Sequence, residues 1–289
     1  MPQTINTNIM SLNAQRHLDS SQSLLARSIE RLSSGMRINS AKDDAAGMAV
    51  AEGMTSKIRG LNVAKRNAND GISLAQTAEA ALGQITNNMQ RIRELAVQSA
   101  NGTLGETERN YLQKEVDELT AEIKRIVDTT EFNGKKLFDN NNSVEIQIGA
   151  NKGEKIAISN VDLTKLKVYT DGYKISETNP GDGDGQANAE AVIEPIDPAD
   201  ATKGGIDKDI QTVIAARSQM GAVQNRFESV IANISAYSEN LAAARSRITD
   251  TDFAMETANM TRAQILQQAG VAMVAQANSV PQGVLQLLR

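Results

Sequence analysis

The chain has 289 residues, enough for about two ordinary domains, yet aromatic residues make up only 3% of it and tryptophan is absent. Its apolar share therefore rests on Ala, Leu, Ile, Val and Met, which suit helix-on-helix packing, and a net charge of −5 offers no electrostatic footprint for nucleic acid. The absence of cysteine excludes a disulfide framework, a thiolate metal site and a cysteine nucleophile.

The first stretch, "MPQTINTNIMSLNAQRHLDS", mixes amides with isolated aliphatics and carries no basic-plus-apolar export signal. No apolar run approaches the ~20 residues of a bilayer crossing, so membrane insertion is not expected. Ile5, Ile9 and Leu12 nevertheless leave an apolar tip, and Leu18, Leu25 and Leu32 with Ile29 and Met36 predict a first helix. His17 is the sole histidine and reads as a surface-helix residue. Asp43 and Asp44 fit the N-terminus of a second, long helix. Along that helix Met54, Leu61, Ala68, Ala75, Leu82, Met89 and Ala96 recur every seven residues, flanked by Ile58 and Ile72 early and by Ile85 and Ile92 later. The flanking stripe shifts by one position, as a 3.6-residue period drifts against a seven-residue repeat.

"NGTLGE" breaks this helix, with Thr103 and Glu106 spaced as a capping box for a third. Its seam is Leu112, Val116, Leu119, Ile123 and Ile126, and Glu115 and Glu118 lie on its wet face. The period then changes to two. "FNGKKLF" offers an Asn133-Gly134 turn, and "VEIQIGANKGEKIAIS" alternates Val144, Ile146 and Ile148 before a turn and Ile156 and Ile158 after it, a β-hairpin pattern. Residues 176–205 hold seven acids against one lysine, a net −6, so the remainder of the chain carries −5 − (−6) = +1. With three prolines and no aromatic residue, this segment is expected to be an exposed loop. Ile206, Val213, Met220, Phe227, Ile234, Leu241 and Ile248 then form an unbroken seven-residue series. A last helix is expected from about Phe253 to Ala277, through Ile265, Leu266, Ala269, Ala272 and Met273, before the apolar tip Val284, Leu285, Leu287 and Leu288. Pro2 and Pro281 lie at the tips and Pro180, Pro195 and Pro198 in the middle, so both helical arms are free of the residue that breaks helices.

One histidine and no cysteine remove zinc-peptidase motifs, Ser-His-Asp triads and most imidazole catalysis. "GDGDGQ" at 181–186 lacks the later oxygen ligands of a calcium loop, and "GMAVAEG" at 47–53 follows no strand that would make it a phosphate cradle. No enzyme and no cofactor are expected. What remains is two amphipathic ends rich in Gln, Asn, Ser and Ala. They either pair as further helices of a monomeric bundle or are ordered by neighbouring copies, because so little apolar area opposes ~1–2 kcal/mol of ordering entropy per residue.

"INTNIMSLNAQRHL", "SIERLSSGMRINSAKDDAAGMAVAEGM", "NDGISLAQTAEAAL", "QRIRELAVQSANGT", "FNGKKL" and "ANSVPQGVLQLL" resemble bacterial flagellin, the subunit of the flagellar filament. The likeness covers about residues 1–140 and 206–289 and fails in the middle. A hook-filament junction protein shares the terminal pattern but fits "LAVQSANGT" and "SVPQ" less well. A flagellin carrying a metallopeptidase insertion would need histidines and a larger middle domain.

The resemblance implies a mainly α fold, a long α-helical coiled-coil hairpin with a small β-hairpin. Its parts would be an N-terminal D0 helix (1–42), N-terminal D1 (43–175), an acidic variable loop (176–205), a C-terminal D1 helix (206–249) and a C-terminal D0 helix (250–289). The D0 assembly core would comprise Ile5, Ile9, Leu12, Leu18, Leu25, Ile29, Leu32, Ile265, Leu266, Met273, Leu285, Leu287 and Leu288. The D1 core would comprise Met54, Ile58, Leu61, Ile72, Leu82, Met89, Leu112, Val116, Leu119, Val213, Met220, Phe227, Ile234 and Leu241. Also implied are a homo-polymeric helical filament outside the cell, export through the flagellar type III apparatus, an export chaperone on Phe253–Arg289, and contacts with the filament cap and hook-filament junction proteins. By the same correspondence Arg91, Leu95 and Glu115 would meet the innate immune receptor TLR5 when the subunit is monomeric.

Overall fold

The computed structural model describes residues 7–139, 143–159, 161–176, 185–193 and 205–286. The chain is mainly α, with two small antiparallel hairpins. It divides into two compact units, one of residues 1–59 and 238–289 and the other of residues 60–237. The division falls inside two long helices, α2 (Ala45–Ser99) and α6 (Ile206–Thr249).

In the larger unit the seven-residue repeats become the core. Ala68, Ala75, Leu82, Met89 and Ala96 of α2 are fully buried, facing Val116 and Ile123 of α3 (Glu106–Thr129) and Val213, Met220 and Phe227 of α6. Leu61 and Ile234 are also buried, whereas Ile72, Leu112 and Leu119 are half-buried. Gly71 explains how α2 and α6 approach closely, since a Cβ there would lie 2.9 Å from Phe227 Cζ.

The expected capping box at Thr103 does not form. Helix α3 starts one residue after Gly105, which has extended backbone and no side-chain cap. The reason lies in the preceding turn, where Asn101 Oδ1 accepts the Thr103 N–H at 3.3 Å and the Arg109 guanidinium donates to Ser99 O at 3.1 Å and Asn101 O at 3.4 Å. The arginine thereby satisfies the Ser99 carbonyl at the C-terminal end of α2 and adds a second donor to the Asn101 carbonyl, which also accepts Leu104 N–H at 3.2 Å.

Strands β1 (Glu131–Phe132) and β2 (Lys135–Lys136) turn on Asn133 and Gly134, both at positive φ (50° and 75°), the backbone that an Asn-Gly hairpin turn demands. Strands β3 (Val144–Gln147) and β4 (Lys155–Ile158) pair antiparallel, with Val144 opposite Ile158 and Ile146 opposite Ile156. Asn67 Nδ2 donates to Gln147 O at 3.1 Å and ties this hairpin to α2.

The middle of the chain is more ordered than its composition suggests. Leu163, Leu166, Val168, Tyr173 and Ile175 enter the core around a one-turn helix, α4 (Lys167–Thr170). Within the acidic segment expected to be an exposed loop, α5 (Gly185–Val192) buries Ala189 and Val192. Its acids do not prevent this, because two small apolar side chains three residues apart give even a short helix one dry edge. Gly205 packs against the Val192 carbonyl, leaving no room for a Cβ. Asp182 and Asp184 of "GDGDGQ" lie outside the described residues.

In the smaller unit α1 (Ile9–Ser34) and α7 (Phe253–Gln286) run antiparallel, as Arg31 pairs with Glu256 at 3.8 Å and Asn8 Nδ2 donates to Ala277 O at 2.7 Å. Helix α7 continues past Ala277 and through Pro281. Asn8 also caps α1, its Oδ1 accepting Ser11 N–H at 3.1 Å, and Asp252 caps α7 through the N–H groups of Ala254 and Met255. The connectors form a clasp. Arg37 N–H donates to Thr249 O at 2.6 Å, Thr251 N–H to Gly35 O at 3.0 Å, and Gly35 closes α1 at φ 70°. Met54, Ile58 and Leu241 are half-buried in this unit.

Candidate assembly surface

The smaller unit is packed in an unusual sense. Along α1 the side facing α7 is Ser11, Ala14, Leu18, Ser21, Leu25, Ser28 and Leu32, alternating by three and four residues as in a coiled coil. The serines are the most buried, Ser21 at 7% exposure and Ser28 at 2%, while the three leucines are half-buried. On α7 the matching positions are Glu256, Ala263, Gly270 and Ala277, spaced by seven. Small residues on both sides allow close approach, and a Cβ on Gly270 would stand 3.2 Å from Leu18 Cδ1.

Other large aliphatics of the pair remain exposed. Ile9 is 68% exposed and Met273 62%, and Leu12, Ile29, Ile265 and Leu266 are exposed as well. Met10, Leu24, Val271 and Val280 join them. A helix pair that buries serine and alanine and presents leucine, isoleucine and methionine to water has its principal apolar surface unpartnered. Ile5, Leu287 and Leu288 lie outside the described residues, as does the side chain of Leu285.

Between α1 and α7 lies an open groove of about 520 Å³ walled by Met10, Leu24, Leu266 and Met273, with His17 and Asn13 also lining it. Among the described residues no cluster of His, Cys, Asp and Glu could hold a metal ion, and no helix is long and apolar enough to cross a membrane.

On the larger unit Arg91 and Glu115 come together at the surface. Arg91 Nε donates to Glu115 Oε1 at 2.9 Å and Nη1 to Glu94 Oε2 at 3.1 Å, joining α2 to α3. Leu95 does not share that surface: it is 1% exposed, in the core with Ile92 and Ala96. Positions four apart on a helix are offset by about 40°. At this edge that offset separates a wet side chain from a dry one.

A buried polar network was invisible to the apolar periodicity. Asp209 Oδ2 accepts Val168 N–H at 3.0 Å and Tyr173 O–H at 2.7 Å. Gln113 Nε2 donates to Tyr173 O at 3.0 Å, its Oε1 accepts Ile175 N–H at 2.6 Å, and Ser99 Oγ donates to Ile175 O at 2.7 Å. Burial, and then the Asp209 carboxylate, push the Tyr173 phenol far above its ordinary range. The signal in the sequence was positional, since Asp209 continues the inward series Ile206, Val213, Ala216 and Met220 by a step of three.

Residues 5–143 match the family model for the bacterial flagellin N-terminal helical region and residues 204–288 that for the C-terminal helical region. The chain belongs to the bacterial flagellin family. It is 46% identical to a flagellin of Halalkalibacterium halodurans over 286 residues, covering 99% of both chains. Over 303 residues it is 44% identical to a flagellin of Bacillus subtilis, again covering 99% of each. A solved structure from Vibrio parahaemolyticus, described as a flagellar hook-associated protein, shares the fold. Its TM-score is 0.56 at 13% identity, over 72% of this chain and all of that one. As a flagellin the chain is a structural subunit of the flagellar filament and not an enzyme.

Proposed function

We propose that α1 and α7 form the inner layer of the filament and that their outward aliphatic stripe is covered by the same helices of neighbouring copies. The observation that carries this is the inverted packing of the pair, serine and alanine its most buried residues and isoleucine, methionine and several leucines left exposed. Burying one such side chain contributes about 1.5–3 kcal/mol, so each neighbour gained stabilises a pair that by itself buries little apolar area. Residues 1–42 and 250–289 serve as this inner D0 layer. Residues 43–175 and 206–249 serve as the surrounding D1 layer, and 176–205 take the place of larger outer domains. The subunit reaches the growing tip outside the cell through the flagellar type III apparatus, which suits a chain without disulfides. A chaperone covers Phe253–Arg289 before export, where Ile265, Leu266 and Met273 offer a helix face to a groove. The filament cap and hook-filament junction proteins bound the polymer at its ends.

Leu266→Ser with Met273→Ser tests the assembly role, since both side chains stay exposed on the wall of the groove rather than buried between the helices. The variant should keep its helical circular dichroism and fail to elongate sheared filament seeds. Normal elongation would refute the assignment. Deleting residues 1–35 or 255–289 should likewise leave a folded helical fragment that does not polymerise.

A second role rests on the exposed Arg91–Glu115 pair, which we assign as a monomer contact for TLR5. Arg91→Ala with Glu115→Ala should sharply weaken signalling by monomer without changing its unfolding midpoint. Leu95→Ala should instead act on stability, by about 2–5 kcal/mol for a buried leucine. Unchanged potency of the double variant removes the receptor assignment.

A further inference from the structure

Pro281 lies inside α7, which runs unbroken from Phe253 to Gln286. It is the one proline of that helix and has no N–H, so the bond that residue 281 would donate to the carbonyl of Ala277, four residues back, cannot form. Ala277 is buried, at 9% exposure, and a carbonyl left without a donor in such a place is costly. Its partner comes from the other end of the chain: Asn8 Nδ2 donates to Ala277 O at 2.7 Å. The second half of the same amide, Oδ1, accepts Ser11 N–H and caps α1. One side chain thus begins the first helix and completes a bond that the last helix lacks.

We propose that Asn8 and Pro281 form a register pin for the α1–α7 pair, the proline leaving one carbonyl of α7 open and the asparagine locating the start of α1 on it. The need for a pin follows from the seam. At one end the register is set by the clasp between Gly35 and Thr251 and by Arg31 beside Glu256. Away from the clasp the seam repeats. Leu18, Leu25 and Leu32 recur every seven residues on α1, as do the small Ala263, Gly270 and Ala277 on α7, so side-chain size scarcely distinguishes one heptad alignment from the next. Hydrogen bonding does distinguish them. Moved one heptad inward along α7, Asn8 would meet Gly270, whose carbonyl the helix already supplies with the N–H of Val274. The observed alignment gives the amide a carbonyl that the helix itself leaves open. It also sets which large side chains stand together, since Met10 of α1 and Met273 of α7 line one groove in this register.

The measurement is made in filaments, so it rests on the inner-layer role proposed for α1 and α7. Full-length wild type, Asn8→Ser, Pro281→Ala and the double variant are each elongated from sheared seeds, and the residual monomer is measured by sedimentation. Serine keeps the cap of α1 but is too short to reach Ala277. Asn8→Ser should leave about two- to tenfold more monomer than wild type, the effect of losing one neutral hydrogen bond. In the Pro281→Ala background, where residue 281 again donates to Ala277, the same change should matter by less than about twofold. An equal effect of Asn8→Ser with and without the proline overturns the pin, since a capping or packing role alone would be blind to residue 281. Should a variant fail to elongate, the contact itself is read in wild type. Filaments isotopically labelled in asparagine side-chain nitrogens and alanine carbonyl carbons should show a dipolar contact that Ala277→Ser removes, and its absence from wild type overturns the pin while leaving the inner-layer role standing. Failure of wild type to elongate instead removes the inner-layer role; the same labelled contact is then sought in the soluble chain, where its absence overturns the pin as well.

Discussion

Two glycines of the same helix should respond oppositely to the same substitution. Gly71 and Gly83 both lie within α2, so replacing either by alanine gains about 1 kcal/mol of helix propensity. Around Gly83 no atom lies within 4 Å of the added Cβ, and the gain is kept. Around Gly71 the new methyl would sit 2.9, 3.1 and 3.2 Å from Cζ, Cε2 and Cε1 of Phe227. That ring is fully buried against α2 and cannot swing into solvent, so relief requires the two helices to part, an overpacking cost of about 1–3 kcal/mol. Propensity cancels between the two variants. Gly83→Ala should therefore exceed Gly71→Ala by about 1–3 kcal/mol, or roughly 2–12 °C in midpoint for a unit of this size. Thermal and urea unfolding followed at 222 nm on the two variants would measure the gap, and Phe227→Leu in the Gly71→Ala background should recover part of it. Equal midpoints for the two alanine variants would refute the close packing of α2 on Phe227.

Tyr173 should be the last of the four tyrosines to ionise. Its raised phenol favours the neutral form in the folded state, so the stability it supplies is whole below about pH 10 and lost as pH rises beyond. Absorbance at 295 nm should show one tyrosine ionising only with loss of helix, and Tyr173→Phe should abolish that step. Gln113→Leu leaves the Tyr173 carbonyl and the Ile175 N–H unpaired in the core, at about 2–4 kcal/mol by urea unfolding. Gln113→Glu keeps the acceptor for Ile175 and should fall between that variant and wild type.

The helices of the larger unit were legible because burial along a long helix must follow its period. Leu82, Met89, Val213, Met220 and Phe227 could occupy no other face once the neighbouring positions were polar. Turn chemistry was equally local, since Asn133 and Gly134 supply by themselves the positive φ that the first hairpin needs. Where periodicity carried no information, inference failed. Asp209 and Gln113 are polar residues at inward positions, and only the carbonyls and N–H groups brought to them from Val168, Tyr173 and Ile175 make that burial favourable. The acidic segment looked unable to fold because composition averages over it, whereas packing needs no more than a few apolar side chains, here Ala189 and Val192 with Ile193 beside them.

The seven-residue repeats, the amide-rich ends and the terminal motifs by themselves determined that this is a helical protein of the flagellin family with apolar extremities. Which face of those extremities is inward was decided by tertiary structure alone. On a single helix Ser21 and Ser28 are weaker candidates for burial than Ile9 or Ile29. At Gly270 the missing Cβ makes room for Leu18, and along the same seam Ser21 and Ser28 are buried more fully than the leucines between them, while Ile9 and Ile29 are left exposed. Periodicity fixes the angle between two side chains on one helix, but the partner's distance decides which of them fits between the two.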